Sequence, residues 1–151
     1  MLLPGVVAGY VPWRYFGLHD VLLDWSDARV WAGVACAMAG ALLLCACIVE
    51  FARRGQGTLS PVDAPRHLVI GGLYRYVRNP MYLSVTMIVL GEAVLARSRS
   101  LAVYWAVFFA LANVFVIGYE EPALRHQFGK SYNDYAAHVH RWIPTVPPSR
   151  S

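Results

Sequence analysis

Charged residues are scarce in this chain and unevenly placed. Asp, Glu, Lys and Arg make up only 15% of its 151 residues, and they gather between long apolar runs. A soluble helical domain would lay such residues along one face of each helix, so the distribution argues against that class. Hydrophobic residues reach 58%, and the mean hydropathy is +0.44. The sequence therefore indicates an all-α integral membrane protein.

Signatures of several other protein classes are missing. The three cysteines, Cys36, Cys45 and Cys47, lie in one apolar run without the paired spacing of a zinc or haem site, so we expect no metal. The net charge of +4 forms no continuous basic stripe, which argues against a nucleic-acid partner. No G-x-G-x-x-G unit follows a strand pattern, as a dinucleotide site would require. The first residues lack the basic region and cleavage site of a signal peptide, so we expect this segment to be retained.

Four apolar segments predict about four transmembrane helices. They lie at approximately 1–18, 29–51, 81–96 and 101–119. The first contains Pro4 and Pro12 and is expected to be kinked. The second has Gly33 and Gly40 near one face, a pattern that allows close packing of membrane helices. The third and fourth are joined by the short sequence RSRS, which predicts a helical hairpin.

The polar connections predict the orientation in the membrane. The loop 53–80 carries five arginines and the tail 120–151 carries four basic residues, whereas the hairpin turn has only Arg97 and Arg99. Because basic residues favour the cytoplasmic side, we expect loop and tail to face the cytoplasm from the cell inner membrane. Within the tail, Gly129 predicts a break between two helices. Ser131 and Asp134 form an S-x-x-D pattern, which predicts that the second helix is capped at Ser131.

The stretch LYRYVRNPMYLS, from Leu73 to Ser84, places polar and aromatic residues directly before the third apolar segment. Asn79 is a good N-cap and Pro80 suits a first helical turn, so this pair predicts a helix start. The surrounding tyrosines and arginines fit an interfacial anchor. They equally fit a ligand site, because the free amides of a helix start bind anions.

A second polar feature is the pair Glu120 and Glu121, at the end of the fourth apolar segment. Adjacent carboxylates repel each other, and the negative end of a helix disfavours them further. A site that needs acceptors for ribose hydroxyls, or a partner for a cationic ligand, would require such a pair. The glutamate pair therefore shifts the interpretation of loop and tail towards a ligand site.

The pattern LVxxGLYxxVRNPMY at residues 68–82, followed by EExxLxxxFGxxYxxY at residues 120–135, resembles a known family. It is similar to the integral-membrane methyltransferases of the isoprenylcysteine carboxyl methyltransferase and phospholipid methyltransferase group, over roughly Gly55 to Pro144. The resemblance implies one membrane methyltransferase domain over 1–151, in which loop and tail fold over S-adenosylmethionine. It also implies a membrane lipid or lipid-tailed small molecule as substrate. The residues that it implies in cofactor binding are Arg66, Leu68, Val69, Tyr74, Asn79, Pro80, Met81, Tyr82, Glu120 and Glu121.

The chain departs from this family at two positions. Asn79 stands where many members have histidine, and an amide cannot titrate near neutral pH, so no proton transfer is assigned to it. Val116 stands where the prenylcysteine enzymes place a substrate-binding arginine. The acceptor therefore stays open between an isoprenylcysteine-like carboxylate and a phospholipid amine. An amine acceptor must first lose a proton, for which Glu121, His126 and His67 are candidates, and no catalytic residue is assigned.

Two other functional classes compete with a methyltransferase. A membrane reductase of the sterol reductase type would have a related helical layout but would use a nicotinamide cofactor. A non-catalytic membrane adaptor would not need the paired glutamates. The two motifs together favour S-adenosylmethionine-dependent methyl transfer.

Overall fold

The structure is a computed structural model that describes residues 2–18, 21–54, 68 and 70–145, and over these residues it is helical with no strand. The all-α prediction is confirmed. The α-helices are α1 (Leu2–Gly5), α2 (Val11–Tyr15), α3 (Ala28–Arg54), α4 (Pro80–Leu95), α5 (Arg99–Phe115), α6 (Glu121–Phe128) and α7 (Lys130–His138). The described residues also form π-helical segments at Val6–Tyr10 and Val116–Glu120 and a 3-10 helix at Gly72–Arg75.

Within the described part of the chain, two helices have the length and composition of a membrane span. They are Ala28–Glu50 and the continuous helix Arg99–Phe128, while the apolar helix Pro80–Leu95 is shorter. The last three predicted segments begin or end within a few residues of α3, α4 and α5. The fourth predicted span differs from the expectation at its end, because its helix continues from α5 through α6, where the sequence turns polar.

Each π-helical segment comes directly before a proline-containing turn. The Val11 amide donates to the Val6 carbonyl, and the Glu121 amide donates to the Val116 carbonyl, so each turn spans one residue more than an α-turn. Proline lacks an amide hydrogen and its ring collides with the carbonyl four residues earlier, so a wider preceding turn accommodates Pro12 and Pro122. The sequence thus sets the local geometry at the glutamate pair.

Contacts divide the chain into two compact units, which are treated separately below. The first unit comprises Met1–Leu44 and Met81–Ala112, and the second comprises Cys45–Pro80 and Asn113–Ser151.

In the first unit, α3 packs closely on α4 through glycine. A Cβ atom at Gly40 would lie 2.7 Å from the Ser84 carbonyl oxygen, and one at Gly91 would lie 2.6 Å from the Ala37 amide nitrogen. No larger residue fits at such an approach, so the predicted role of the small residues in α3 is confirmed. Beside this contact, Ala8, Val85 and Val89 form a buried cluster.

The tail confirms one prediction about its helices and corrects another. Gly129 separates α6 from α7 with φ of 51°, a left-handed conformation that glycine adopts without strain. However, α7 begins at Lys130, and its N-cap residue is Gly129, which has no side chain that could form a capping hydrogen bond. The predicted cap at Ser131 is therefore wrong, because the glycine break places the N-cap two residues earlier, at Gly129.

Candidate functional site

The residues that follow α7 are bound to the residues that precede α4. We call Val139–Thr145 the C-terminal strap. The Arg78 amide donates to the His140 carbonyl at 2.9 Å, and the Thr145 amide donates to the Tyr76 carbonyl at 2.7 Å. The Asn79 side-chain amide, itself buried, donates to the Arg141 carbonyl at 3.3 Å. These bonds hold the end of the tail against the Asn79–Pro80 motif.

A tyrosine of α7 adds a further attachment to the same region. The Tyr135 hydroxyl donates to the Tyr74 carbonyl at 2.6 Å, in the 3-10 helix before the motif. Burial raises the pKa of Tyr135 and of its neighbour Tyr132 above the ordinary value for tyrosine. Both phenols therefore stay neutral at physiological pH, and Tyr135 remains a hydrogen-bond donor.

The 3-10 helix that carries Tyr74 depends on a glycine. Gly72 has φ of 59°, and any side chain there would run into the carboxylate of Glu50 near the end of α3. The left-handed backbone favours glycine at this position, and a larger residue would also displace the Glu50 side chain.

Glu121 lies at the centre of the second unit, surrounded by guanidinium groups. Its side chain is only 3% exposed. Oε1 accepts hydrogen bonds from Arg78 Nη1 at 3.0 Å and from Arg141 Nε, and Oε2 accepts from Arg141 Nη2 at 3.0 Å and Arg125 Nη2 at 3.2 Å. We call these four residues the Glu121 cluster. The hydrogen bond with Glu121 raises the pKa of Arg141 above its ordinary value, so this arginine is always charged.

The Glu121 cluster limits what Glu121 can do chemically. Each carboxylate oxygen accepts two charged hydrogen bonds from described residues, which leaves it little capacity to accept a proton from a substrate. Its role is that of a buried counter-ion, and the proposal of Glu121 as a base loses support. Glu120, one residue earlier, ends the π-helical segment and is half-buried, with Oε2 shielded from solvent.

A cavity of about 380 Å³ lies in the second unit. Its walls combine cationic, polar and apolar side chains from α5, the π-helical segment, the motif and the strap. They are Arg78, Asn113, Ile117, His140, Arg141, Trp142 and Ile143. The Trp142 indole nitrogen donates to Asn113 Oδ1 at 3.1 Å, which ties the strap to the end of α5.

The residues implied in cofactor binding are distributed over both units. Tyr74, Asn79, Pro80, Glu120 and Glu121 belong to the second unit, where the tail contacts described above bring Tyr74, Asn79 and Glu121 into one hydrogen-bonded region. Leu68 is half-buried in the same unit. Met81 and Tyr82 belong to the first unit and are half-buried in the first turn of α4. Arg66 and Val69 lie outside the described residues. The role of this set in cofactor binding stays a prediction.

Among the residues that line the cavity, Arg78 belongs to the stretch LYRYVRNPMYLS that the sequence singled out, whereas the other lining residues were not assigned to a site. Arg78 lies inside the VRNPMY motif, so its position was a usable signal. The basic and aromatic pair Arg141 and Trp142 was visible in the tail, but nothing in the sequence linked it to Asn113. Among the residues that the structure describes, no group of three or more His, Cys, Asp and Glu could hold a metal ion.

Comparison with known families decides the identity of the chain. The family model described as phospholipid methyltransferase matches residues 28–131. The chain belongs to the phospholipid methyltransferase family. The family resemblance of the two motifs is therefore confirmed. Because this is a family of membrane methyltransferases, we assign the protein to that class of enzyme. The matched range runs from α3 into α7 and leaves out the C-terminal strap. No curated protein and no solved structure matches the chain.

Proposed function

We propose that this protein transfers a methyl group from S-adenosylmethionine to a lipid-tailed acceptor at the cytoplasmic face of the membrane. The observation that carries the proposal is the family match over residues 28–131, which contains the whole first motif and residues 120–131 of the second. The arrangement of the second unit supports it, because Arg78 from the first motif and Glu121 from the second form a buried ion pair. A nicotinamide reductase and a non-catalytic adaptor find no comparable support.

The donor fits the residues of this chain at Glu120. A half-buried carboxylate with one oxygen shielded from solvent suits ribose hydroxyls or a cationic centre. Tyr74, Asn79 and Pro80 would complete this side of the site, and Arg66, Leu68, Val69, Met81, Tyr82 and Glu121 are the other candidates. S-adenosylmethionine supplies a methyl group that its sulfonium already activates. The protein therefore has mainly to align the reactants and exclude water.

Two observations support a membrane setting for this reaction. Ala28–Glu50 and Arg99–Phe128 are long and apolar enough to span a bilayer. The basic residues of loop and tail favour a cytoplasmic location for the second unit's polar segments, in the cell inner membrane. The acceptor would then arrive laterally, with its tail in the lipid and its polar head at the methyl group. An isoprenylcysteine carboxylate and a phospholipid amine are the two acceptor chemistries that we consider.

The proposal is tested with the full chain purified in a non-ionic detergent. We expect it to bind S-adenosylmethionine and not a reduced nicotinamide when each is titrated by calorimetry. Transfer of a labelled methyl group is then followed with lipid extracts, prenylcysteine analogues and water-soluble thiols as acceptors. We expect label in a lipid-tailed product. Binding of the nicotinamide alone, or label confined to soluble thiols, would contradict the proposal.

A further inference from the structure

The cavity in the second unit lies against an excess of positive charge. Three described guanidinium groups, those of Arg78, Arg125 and Arg141, share the carboxylate of Glu121, so the four residues of the Glu121 cluster together carry a formal charge of +2. Two of these arginines also line the cavity, together with His140. An anion entering the cavity would therefore meet a net positive potential.

Arg78, which lines the cavity, also carries a hydrogen-bond donor that is shielded from solvent. Arg78 Nε is buried and finds no acceptor among the described residues. A buried donor without a partner is unfavourable, because it has lost its hydrogen bonds to water. Guanidinium groups bind carboxylate and phosphate oxygens through paired N–H donors, which makes Arg78 and Arg141 suitable partners for an oxyanion in the cavity.

The remaining lining is apolar and open to the surroundings. Ile143 is 69% exposed and Ile117 is 46% exposed, although both line a concave surface. The Trp142 ring lies beside them, held by its bond to Asn113. A ligand that joins an oxyanion to an apolar chain would match this combination, whereas a free inorganic anion would leave the apolar side chains uncovered.

We infer that this cavity binds the anionic head group of the methyl acceptor, a phosphate or a carboxylate on an apolar chain, through Arg78 and Arg141. The inference rests on the proposed function. The acceptor is favoured over the methyl donor as the occupant because S-adenosylmethionine has no apolar chain that would cover Ile117, Trp142 and Ile143. Arg141 and Trp142 lie beyond the residues that match the family, so this part of the site is contributed by a segment outside the family match.

The chain offers a matched pair of variants. Arg141→Gln removes a guanidinium that contacts Glu121 and lines the cavity, whereas Arg125→Gln removes one that contacts Glu121 without lining it.

The probes are decyl phosphate, decanoate, decanol and inorganic phosphate, titrated against the full chain in non-ionic detergent. We expect wild type and Arg125→Gln to bind both anionic amphiphiles more tightly than decanol or inorganic phosphate. Arg141→Gln should bind them about tenfold more weakly, as the loss of a charge-assisted hydrogen bond predicts. Decyl phosphate against decanoate shows whether a phosphate or a carboxylate is preferred.

A kinetic measurement separates this site from the donor site. For the acceptor that the transfer assay identifies, Arg141→Gln should raise KM for the acceptor and leave the affinity for S-adenosylmethionine unchanged. Equal binding of anionic amphiphiles by wild type and Arg141→Gln would overturn the inference, as would an equal loss in Arg125→Gln. If the chain bound the amphiphiles through Arg141 but bound no S-adenosylmethionine, the proposed function and the acceptor assignment would both fall, and an anion site would remain.

Discussion

Arg78 Nη1 donates a hydrogen bond to Glu121 Oε1 at 3.0 Å, and this contact joins two motifs that lie 43 residues apart in the chain. Arg78 directly precedes the Asn79–Pro80 start of α4, and Glu121 is the first residue of α6. Arg141 from the strap binds the same carboxylate, so three separate segments meet at one buried charge. Removing that charge would leave the guanidinium groups to repel one another.

Glu121→Gln should destabilise the protein strongly. The variant keeps the shape of the side chain but removes the counter-ion of the Glu121 cluster, in which Arg78 is 11% exposed and Arg141 and Arg125 are 36% and 50% exposed. Solvent screens the two more exposed guanidinium groups, so we expect a cost of about 1.5 to 3 kcal/mol, below that of a fully buried pair. Thermal unfolding of the detergent-solubilised chain measures the effect as a lower midpoint. A midpoint equal to that of wild type would show that the Glu121 cluster does not hold the tail in place.

Glu120→Gln should weaken binding of the methyl donor and leave the stability of the protein nearly unchanged. If this carboxylate binds the methyl donor, loss of a charge-assisted hydrogen bond weakens S-adenosylmethionine binding by about 1.5 to 3 kcal/mol, or roughly one to two decades. The unfolding midpoint should change little. Calorimetry on wild type and both glutamate variants makes the comparison. Unchanged affinity in a folded Glu120→Gln variant would remove Glu120 from the donor site.

Gly91→Ala should loosen the contact between α3 and α4. The new methyl group would lie 2.6 Å from the Ala37 amide nitrogen, so one helix has to move away from the other. Gly9→Ala is the matched control in the same unit, because no atom lies within 4 Å of the added carbon. We expect a lower unfolding midpoint for Gly91→Ala and an unchanged or higher one for Gly9→Ala, since alanine favours helix over glycine by up to about 1 kcal/mol. Equal midpoints would mean that close packing at Gly91 contributes nothing.

Tyr135→Phe should destabilise the protein at neutral pH and reduce its sensitivity to alkali. The variant leaves the Tyr74 carbonyl without this donor, at a cost of about 1 to 3 kcal/mol. In wild type, burial raises the pKa of Tyr135, so folding keeps the phenol protonated where the unfolded chain would ionise it. The stabilisation is complete below the unfolded pKa of about 10 and is lost as the pH rises above it.

Unfolding midpoints at pH 8 and pH 10.5 test this prediction. The drop between the two pH values should be smaller in Tyr135→Phe than in wild type, with the remaining drop due in part to Tyr132, whose pKa burial also raises. An identical drop in both proteins would show that Tyr135 is not protected from ionisation.

The three long apolar helices and the family could be predicted from the sequence alone. In lipid no water is available to the backbone N–H and C=O groups, and a helix pairs these groups within one segment. Because long apolar runs therefore form helices there, α3, α4 and α5 could be placed within a few residues from hydropathy alone. Pro80 and Gly129 act through their own backbone geometry, and the structure has a helix start and a helix break at these positions. Each of the two motifs is also a local sequence pattern, so the family could be recognised from them without knowledge of the fold.

The contacts between distant residues could not be predicted from the sequence. From the sequence, Glu120 and Glu121 were a single acidic pair, whereas in the structure Glu120 is half-buried and Glu121 is buried among arginines. Nothing in the local pattern of the tail indicated that Arg141 would bind Glu121 or that Trp142 would bind Asn113. Such contacts depend on the packing of α7 and on the hydrogen bonds of the strap, which join residues far apart in the chain. A propensity or a capping pattern acts over a few neighbouring residues and carries no information about those partners.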